Sequence, residues 1–192
     1  MNKIEVPILK TKLKKHFEIR DKILDIINND LFKDWFQEDT YISDNIHKVD
    51  WFKAKDSNRE WFKIIQQPLY ETLLDMAESI GFTEIALEHV WFQQYQKQGK
   101  HGWHSHGFNY TGVYYLEYDS KKNPPTEFLY PCNLKEKFSI NVEEGDIISF
   151  PSFIIHRAPE NMSTKNKTIV SFNYDLRTPN PIYTKNNGTK NI

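Results

Sequence analysis

Apolar residues recur at helical spacing in two early stretches of the chain, and at strand spacing or in short continuous runs in six later ones. Between residues 16 and 29, Phe17, Ile19, Ile23, Leu24, Ile26 and Ile27 follow the 3.6-residue period, and Asn28-Asn29-Asp30 supplies a stop. That pattern predicts a first helix. Ahead of it, Ile4, Val6 and Ile8 alternate as a short edge strand would. Residues 68–81 predict a second helix, with Pro68 in the first turn, Leu69, Leu73, Met76 and Ile80 on one side, and Gly81 just past the end. A helix patterned this way buries its apolar side against a sheet.

Between the helices, residues 30–63 keep neither period. Trp35-Phe36, Trp51-Phe52 and Trp61-Phe62 stand among acids, lysines and asparagines, and Trp91-Phe92 adds a later pair at an unequal interval, which excludes a structural repeat. The stretch reads as a long connection pinned by aromatic anchors, with a substrate-binding segment as the alternative. After Gly81 the pattern changes. Residues 85–96, 109–118, 126–130, 137–142, 146–150 and 167–176 are runs rich in β-branched and aromatic residues, separated by Gly, Pro and Asn clusters. Strands without helices between them predict an antiparallel sandwich or barrel, and helices followed by strands make the class α+β. The expected organisation is a single domain: helical support over 1–82, a β core over 83–177 and a loosely held tail over 178–192.

Composition adds constraints to this outline. With 39% hydrophobic and 15% aromatic residues, the chain can bury a core and is not a disordered one. Basic and acidic residues nearly cancel, 25 against 26, so no global field draws the chain to nucleic acid or to an anionic membrane. The single cysteine, Cys132, excludes an internal disulfide and reads as a small half-buried residue in a Tyr-Pro-Cys-Asn turn. No secretion-type apolar run opens the sequence and no window is long enough to span a bilayer, so the expected compartment is a reducing cytoplasm.

The chemistry gathers in two stretches. Gly99-Lys-His-Gly-Trp-His-Ser-His-Gly107 packs three of the seven histidines together, and Gly145-Asp-Ile-Ile-Ser-Phe-Pro-Ser-Phe-Ile-Ile-His156 ends a turn-and-strand pattern on a fourth. In an extended segment, residues two apart project to one side, so His104 and His106 can offer both imidazoles to one ion. His156, delivered to the end of a short strand, is the candidate third ligand. His101 reads as a loop residue beside the site or as plain surface, and His16, His47 and His89 have no constellation around them. In the run Lys167-Thr-Ile-Val-Ser-Phe-Asn173, alternation puts Lys167, Ile169, Ser171 and Asn173 on one face. Lys167 either meets a buried anion there or marks the solvent end of the strand.

Residues 90–176 resemble the iron(II)- and 2-oxoglutarate-dependent oxygenases, and among them an oxygenase family of marine bacteria and their phages. The resemblance is carried by Trp91-Phe-Gln-Gln-Tyr95, Gly102-Trp-His-Ser-His106, Tyr110-Thr-Gly-Val-Tyr-Tyr-Leu116, Glu144-Gly-Asp146, Phe150-Pro-Ser-Phe-Ile-Ile-His156 and Lys167-Thr-Ile-Val-Ser-Phe-Asn173. It implies a double-stranded β-helix, a jelly-roll barrel of two antiparallel sheets. It implies an enzyme that couples oxidative decarboxylation of 2-oxoglutarate by O2 to oxidation of a C–H bond. His104 and His156 would be iron ligands. Lys167 would pair with the far carboxylate of 2-oxoglutarate, Tyr115 would bond to that carboxylate, Tyr95 is a further candidate for it, and Asn173 and Thr111 would line the pocket. The sequence departs from the superfamily in one respect: the usual His-x-Asp or His-x-Glu is His-x-His here, so His106 stands in the place of the acid. Either three imidazoles hold the metal, or two do with water in the acid's place; without an anionic ligand, nitrogen-preferring metals compete better.

Two other classes stay open on sequence. Gly145, Pro151 and His156 also fit a cupin-type metalloprotein, against which Tyr110 and Thr111 stand where that pattern needs a glutamate. The other is a β-rich binding or structural protein with a vestigial site. The primary substrate, a small molecule or a peptide, and the oligomeric state are not legible.

Overall fold

In a computed structural model describing residues 7–29 and 44–181, the first helix forms where its period places it. Helix α1 spans His16–Asn29 and buries Ile19, Ile23, Leu24 and Ile27. Helix α2 spans Glu60–Ser79, so it starts upstream of Pro68 and carries that proline in its interior. Tertiary packing overrides the local signal: Trp61, Phe62 and Ile65 extend the buried face upstream of Pro68. The start of α2 is pinned by the Asp50 carboxylate, which accepts hydrogen bonds from Arg59 Nη1 at 2.7 Å, Trp61 Nε1 at 2.9 Å and the Phe92 amide at 2.8 Å. Of the aromatic pairs in this region, Trp61-Phe62 is the anchor. Trp51 and Phe52, in a 3-10 turn over Trp51–Lys53, are exposed, and Trp35-Phe36 lies outside the described residues.

Ten strands follow the chain order among the described residues: β1 Leu9–Lys12, β2 Lys48–Val49, β3 Phe82–Tyr95, β4 His101–His104, β5 Tyr110–Glu117, β6 Glu127–Tyr130, β7 Asn133–Ser139, β8 Asp146–Pro151, β9 His156–Ala158 and β10 Lys167–Pro179. The edge strand expected at Ile4 to Ile8 is found later, as β1, and residues 1–6 lie outside the described ones. The strand expected over 137–142 starts earlier, because the β6–β7 hairpin pairs Tyr130 with Asn133. Cys132 therefore sits in the tight turn and is exposed, not half-buried. Of the tail, residues 182–192 fall outside the description.

The strands form two antiparallel sheets. The larger has the order β1-β8-β5-β10-β3-β2 and the smaller β4-β9-β6-β7. Alternation along β10 works as its pattern predicts. Val170, Phe172 and Tyr174 join Ile23, Ile27, Leu69 and Leu73 in a core between the large sheet and the helices. Ile169, on the other face, joins Val113, Phe128, Phe150 and Ala158 in a second core between the two sheets. The result is the expected α+β double-stranded β-helix, with helices covering the outer face of its large sheet.

Candidate functional site

The small sheet sets the histidines. In the β4–β9 ladder, His104 stands directly opposite His156, so one cross-strand register fixes both. His106 follows just past β4 and is held by its backbone N–H, which donates to Ser152 O at 2.9 Å. Its ring lies 5.1 Å from that of His104 and 5.2 Å from that of His156, and the latter two rings are 4.3 Å apart. Ring nitrogens of the three lie within 4.8 Å of one another. Sequence spacing placed these three residues together, and the structure does so.

The protonation state of the cluster follows from its hydrogen bonds. His104 Nδ1 lies 2.8 Å from Gly102 O, and His156 Nδ1 lies 2.9 Å from Ile154 O. A carbonyl only accepts, so in both rings Nδ1 carries the hydrogen and Nε2 keeps its lone pair. Desolvation lowers the pKa of His104, pushes His106 down to about 3, and lowers His156 well below its ordinary value. All three imidazoles are neutral at physiological pH, as metal ligation requires.

Of the two sequence readings of His101, beside the site or plain surface, the structure favours the first, with the residue on a strand and not in a loop. It is the first residue of β4, and a bulge between its pairing with Ala158 and that of His104 with His156 changes the face it presents. His101 and His104, three residues apart, consequently stack with centroids 4.0 Å apart, whereas simple alternation would put them on opposite faces. Trp103 turns outward, with Arg157 lying 4.6 Å over its ring. A chain of hydrogen bonds fixes the His101 tautomer. Ser171 Oγ donates to Gln93 Oε1 at 3.0 Å, which turns Gln93 Nε2 toward His101 Nδ1 at 3.2 Å. His101 Nε2 then carries the hydrogen and faces Asp44 Oδ2 at 3.5 Å. Burial lowers the pKa of His101 to about 4.

The large sheet supplies the opposite wall of a recess lined in part by Trp91, Gln93, Tyr95, Thr111 and Ser171. Register along β10 orders that wall: Lys167 pairs with Tyr95, Ile169 with Gln93, Ser171 with Trp91 and Asn173 with His89. Lys167 is 1% exposed, so its second sequence reading, a solvent-end marker, fails. Its Nζ donates to Pro124 O at 2.7 Å, and desolvation pushes its pKa down to about 7. The rings of Tyr95 and Tyr115 lie 5.8 and 5.9 Å from that nitrogen. The two phenols differ. Tyr115 OH is engaged by Thr126, at 2.8 Å from its hydroxyl and 3.1 Å from its amide, whereas Tyr95 OH is buried without a partner. Further along, the Asn173 amide is buried with neither polar atom bonded, and Thr111 Oγ1 donates to Phe172 O at 3.0 Å.

This architecture matches solved structures across nearly the whole chain. It is similar to an oxidoreductase of the 2OG-Fe(II) oxygenase family from Burkholderia pseudomallei, with TM-score 0.61, 11% identity and coverage of 90% of this chain and 86% of that one. It is also similar to the viral collagen prolyl hydroxylase of Paramecium bursaria Chlorella virus-1 in its 2OG complex, with TM-score 0.58, 16% identity and coverage of 87% and 94%. A third is the Trichoplax adhaerens prolyl hydroxylase in complex with a hypoxia inducible factor peptide fragment, with TM-score 0.62, 13% identity and coverage of 87% and 82%. The chain has the fold of the iron(II)/2-oxoglutarate oxygenases. No family model matches the sequence, and no curated protein does either.

In that fold the donor set fits a divalent transition metal. Three neutral imidazoles whose ring nitrogens lie within 4.8 Å of one another suit iron(II), cobalt(II) or zinc(II), and backbone carbonyls on Nδ1 orient the His104 and His156 rings. No helix among the described residues is long and apolar enough to cross a membrane.

Proposed function

We propose that this protein is an iron(II)- and 2-oxoglutarate-dependent oxygenase acting on a C–H bond of a small molecule or peptide. The observation that carries the reading is a buried lysine, Lys167, at the head of β10, the strand whose Ile169 and Ser171 line the recess opposite three neutral histidines. A buried lysine is retained at a cost unless an anion meets it. Lys167, paired across the ladder with Tyr95, which lines the recess, would meet an anion held at the histidine cluster.

His104, His106 and His156 would hold the metal, the first two in a His-x-His and the third across the ladder. Bound iron(II) and 2-oxoglutarate supply the oxidising chemistry, in which O2 and the 2-oxo acid yield succinate and CO2 and leave one oxygen atom in the substrate C–H bond. The chain's own residues bind and orient. Lys167 pairs with the far carboxylate, and Tyr95 OH, which lacks another partner, donates to it. Tyr115 takes a supporting part, because Thr126 already engages its hydroxyl. Asn173 lies six residues along β10 from Lys167, roughly 20 Å at strand rise, which is too far for a five-carbon acid anchored at Lys167. Asn173 and its register partner Thr111 therefore line the substrate side, together with Trp91 and with His89, against which Phe108 packs at 5.0 Å. The Trichoplax relative's peptide complex supports a peptide as one substrate class.

Anaerobic addition of iron(II) followed by 2-oxoglutarate tests the reading. A visible charge-transfer band that needs both additions, and is lost in His156→Ala, is the expected result. Metal binding with no response to 2-oxoglutarate would favour the cupin alternative.

A further inference from the structure

We infer that Asp44 supplies the negative charge that the His-x-His motif lacks, acting on the metal site through His101 and the Gly102 backbone. This rests on His104, His106 and His156 being the metal ligands. Three neutral imidazoles leave a divalent ion uncompensated, and the residue in the usual acid's place, His106, is itself neutral. Asp44 answers that deficit from outside the ligand set. Its carboxylate is largely buried, with the side chain 10% exposed, and two of its contacts bear on the site. Oδ1 accepts the Gly102 N–H at 2.7 Å, and Oδ2 faces His101 Nε2 at 3.5 Å. The carbonyl of the same Gly102 holds His104 Nδ1–H at 2.8 Å. Carboxylate and ligand ring thus hang from one residue, and the ring paired to Asp44 stacks on the ligand ring at 4.0 Å. Gln93 and Ser171 complete the device by holding His101 in the tautomer that points its hydrogen at Asp44. Asp44 is a positioning and charge-compensating residue here, not a ligand.

The test reads cobalt(II) affinity of the apoprotein by competition with a chromophoric chelator, with thermal unfolding of each apoprotein as a fold control. Asp44→Asn keeps an acceptor for Gly102 N–H but removes the charge; it is expected to weaken cobalt binding by about 10- to 100-fold, the range for outer partners of metal ligands. His101→Phe keeps a ring stacked on His104 and severs the link to Asp44, so a weakening of several-fold is expected even if Asp44→Asn folds poorly. The decisive comparison places a carboxylate inside the site. In a His106→Asp background, the further change Asp44→Asn is expected to cost less than about threefold, because the anion is now supplied directly and the two sites couple. Wild-type-like cobalt affinity in both Asp44→Asn and His101→Phe, or an undiminished loss from Asp44→Asn when Asp stands at 106, overturns the inference. Failure of the unaltered protein to bind cobalt would remove the ligand reading itself, an outcome distinct from either of these.

Discussion

Replacing Lys167 by methionine separates the cost of this side chain from its use. Burial takes its pKa from 10.5 to about 7, which corresponds to about 5 kcal/mol against the charged form. Between about pH 7 and pH 10.5 the unfolded chain binds a proton at this lysine that the folded chain does not, so stability rises with pH across that window. Below about pH 7 both states are protonated and the penalty is fully present; above 10.5 it is gone. Lys167→Met removes the penalty, keeps most of the apolar stem and forfeits the bond to Pro124 O. The expected net effect near neutral pH is a gain of about 2–4 kcal/mol in apoprotein stability, read by urea denaturation. The rise in stability with pH should flatten in the variant. The same substitution should weaken 2-oxoglutarate binding by about 100-fold or more, since it removes the cation facing a buried carboxylate. Titration calorimetry of the wild type above pH 7, repeated in buffers of different ionisation heat, should show proton uptake as the ligand restores the ammonium. Undiminished 2-oxoglutarate affinity in Lys167→Met, or lower stability with an unchanged pH slope, would refute the reasoning.

Three other substitutions probe the same framework. Tyr95→Phe removes a buried hydroxyl that has no partner, so the apoprotein should gain roughly 1 kcal/mol by urea denaturation while 2-oxoglutarate affinity falls several-fold; loss of stability would show that the hydroxyl is satisfied. Asp50→Ala strands the buried Arg59 guanidinium together with the Trp61 and Phe92 donors, and should cost about 3–5 kcal/mol; a loss below about 1 kcal/mol would argue against Asp50 as the pin of α2. Gly112→Ala drives a methyl into the Phe172 ring and to 2.5 Å from Ile148 O, so thermal denaturation should reveal a loss of about 1–3 kcal/mol or more.

Much of this site is legible in the sequence because local rules and the fold agree there. The period over residues 16–29 gives α1 to the residue, and the alternation after Lys167 sorts β10 correctly between the two cores. His104, His106 and His156 are found because extended backbone puts i and i+2 on one side and a strand end delivers the third. The failures have physical causes. Pro68 misplaces the start of α2 because Trp61, Phe62 and Ile65 carry the helix past it. His101 stays between two sequence readings because a bulge in β4 breaks the alternation that sequence reasoning assumes. Asp44 leaves no signal at all: it lies far from the histidines in a stretch without period, and the bridge pairing Asn45 with Lys100 helps bring it to Gly102. The contrast between Tyr95 and Tyr115 is equally invisible, since it depends on Thr126 reaching one hydroxyl and not the other.

The two sheets divide the site in a way that explains how so little sequence encodes it. The histidine-bearing wall is a pair of short strands, β4 and β9, whose register sets His104 against His156. A slip of one residue would turn both rings to the outer face and abolish the cluster. That register rests on more than its own few backbone bonds: Phe150 packs on His156 at 4.8 Å, Phe128 packs on Phe150 at 4.8 Å, and Ser152 O holds the His106 amide. The facing wall belongs instead to β10 and β3, the most extensively paired strands of the large sheet, where Lys167 sits at the head of the ladder opposite Tyr95. A buried lysine needs a rigid surround if its unfavourable burial is to persist, and long strands covered by helices provide one. Each wall thus keeps the groups whose placement suits it: histidine rings on strands short enough to be set by a few neighbours, and the buried lysine on one of the most extensively paired strands.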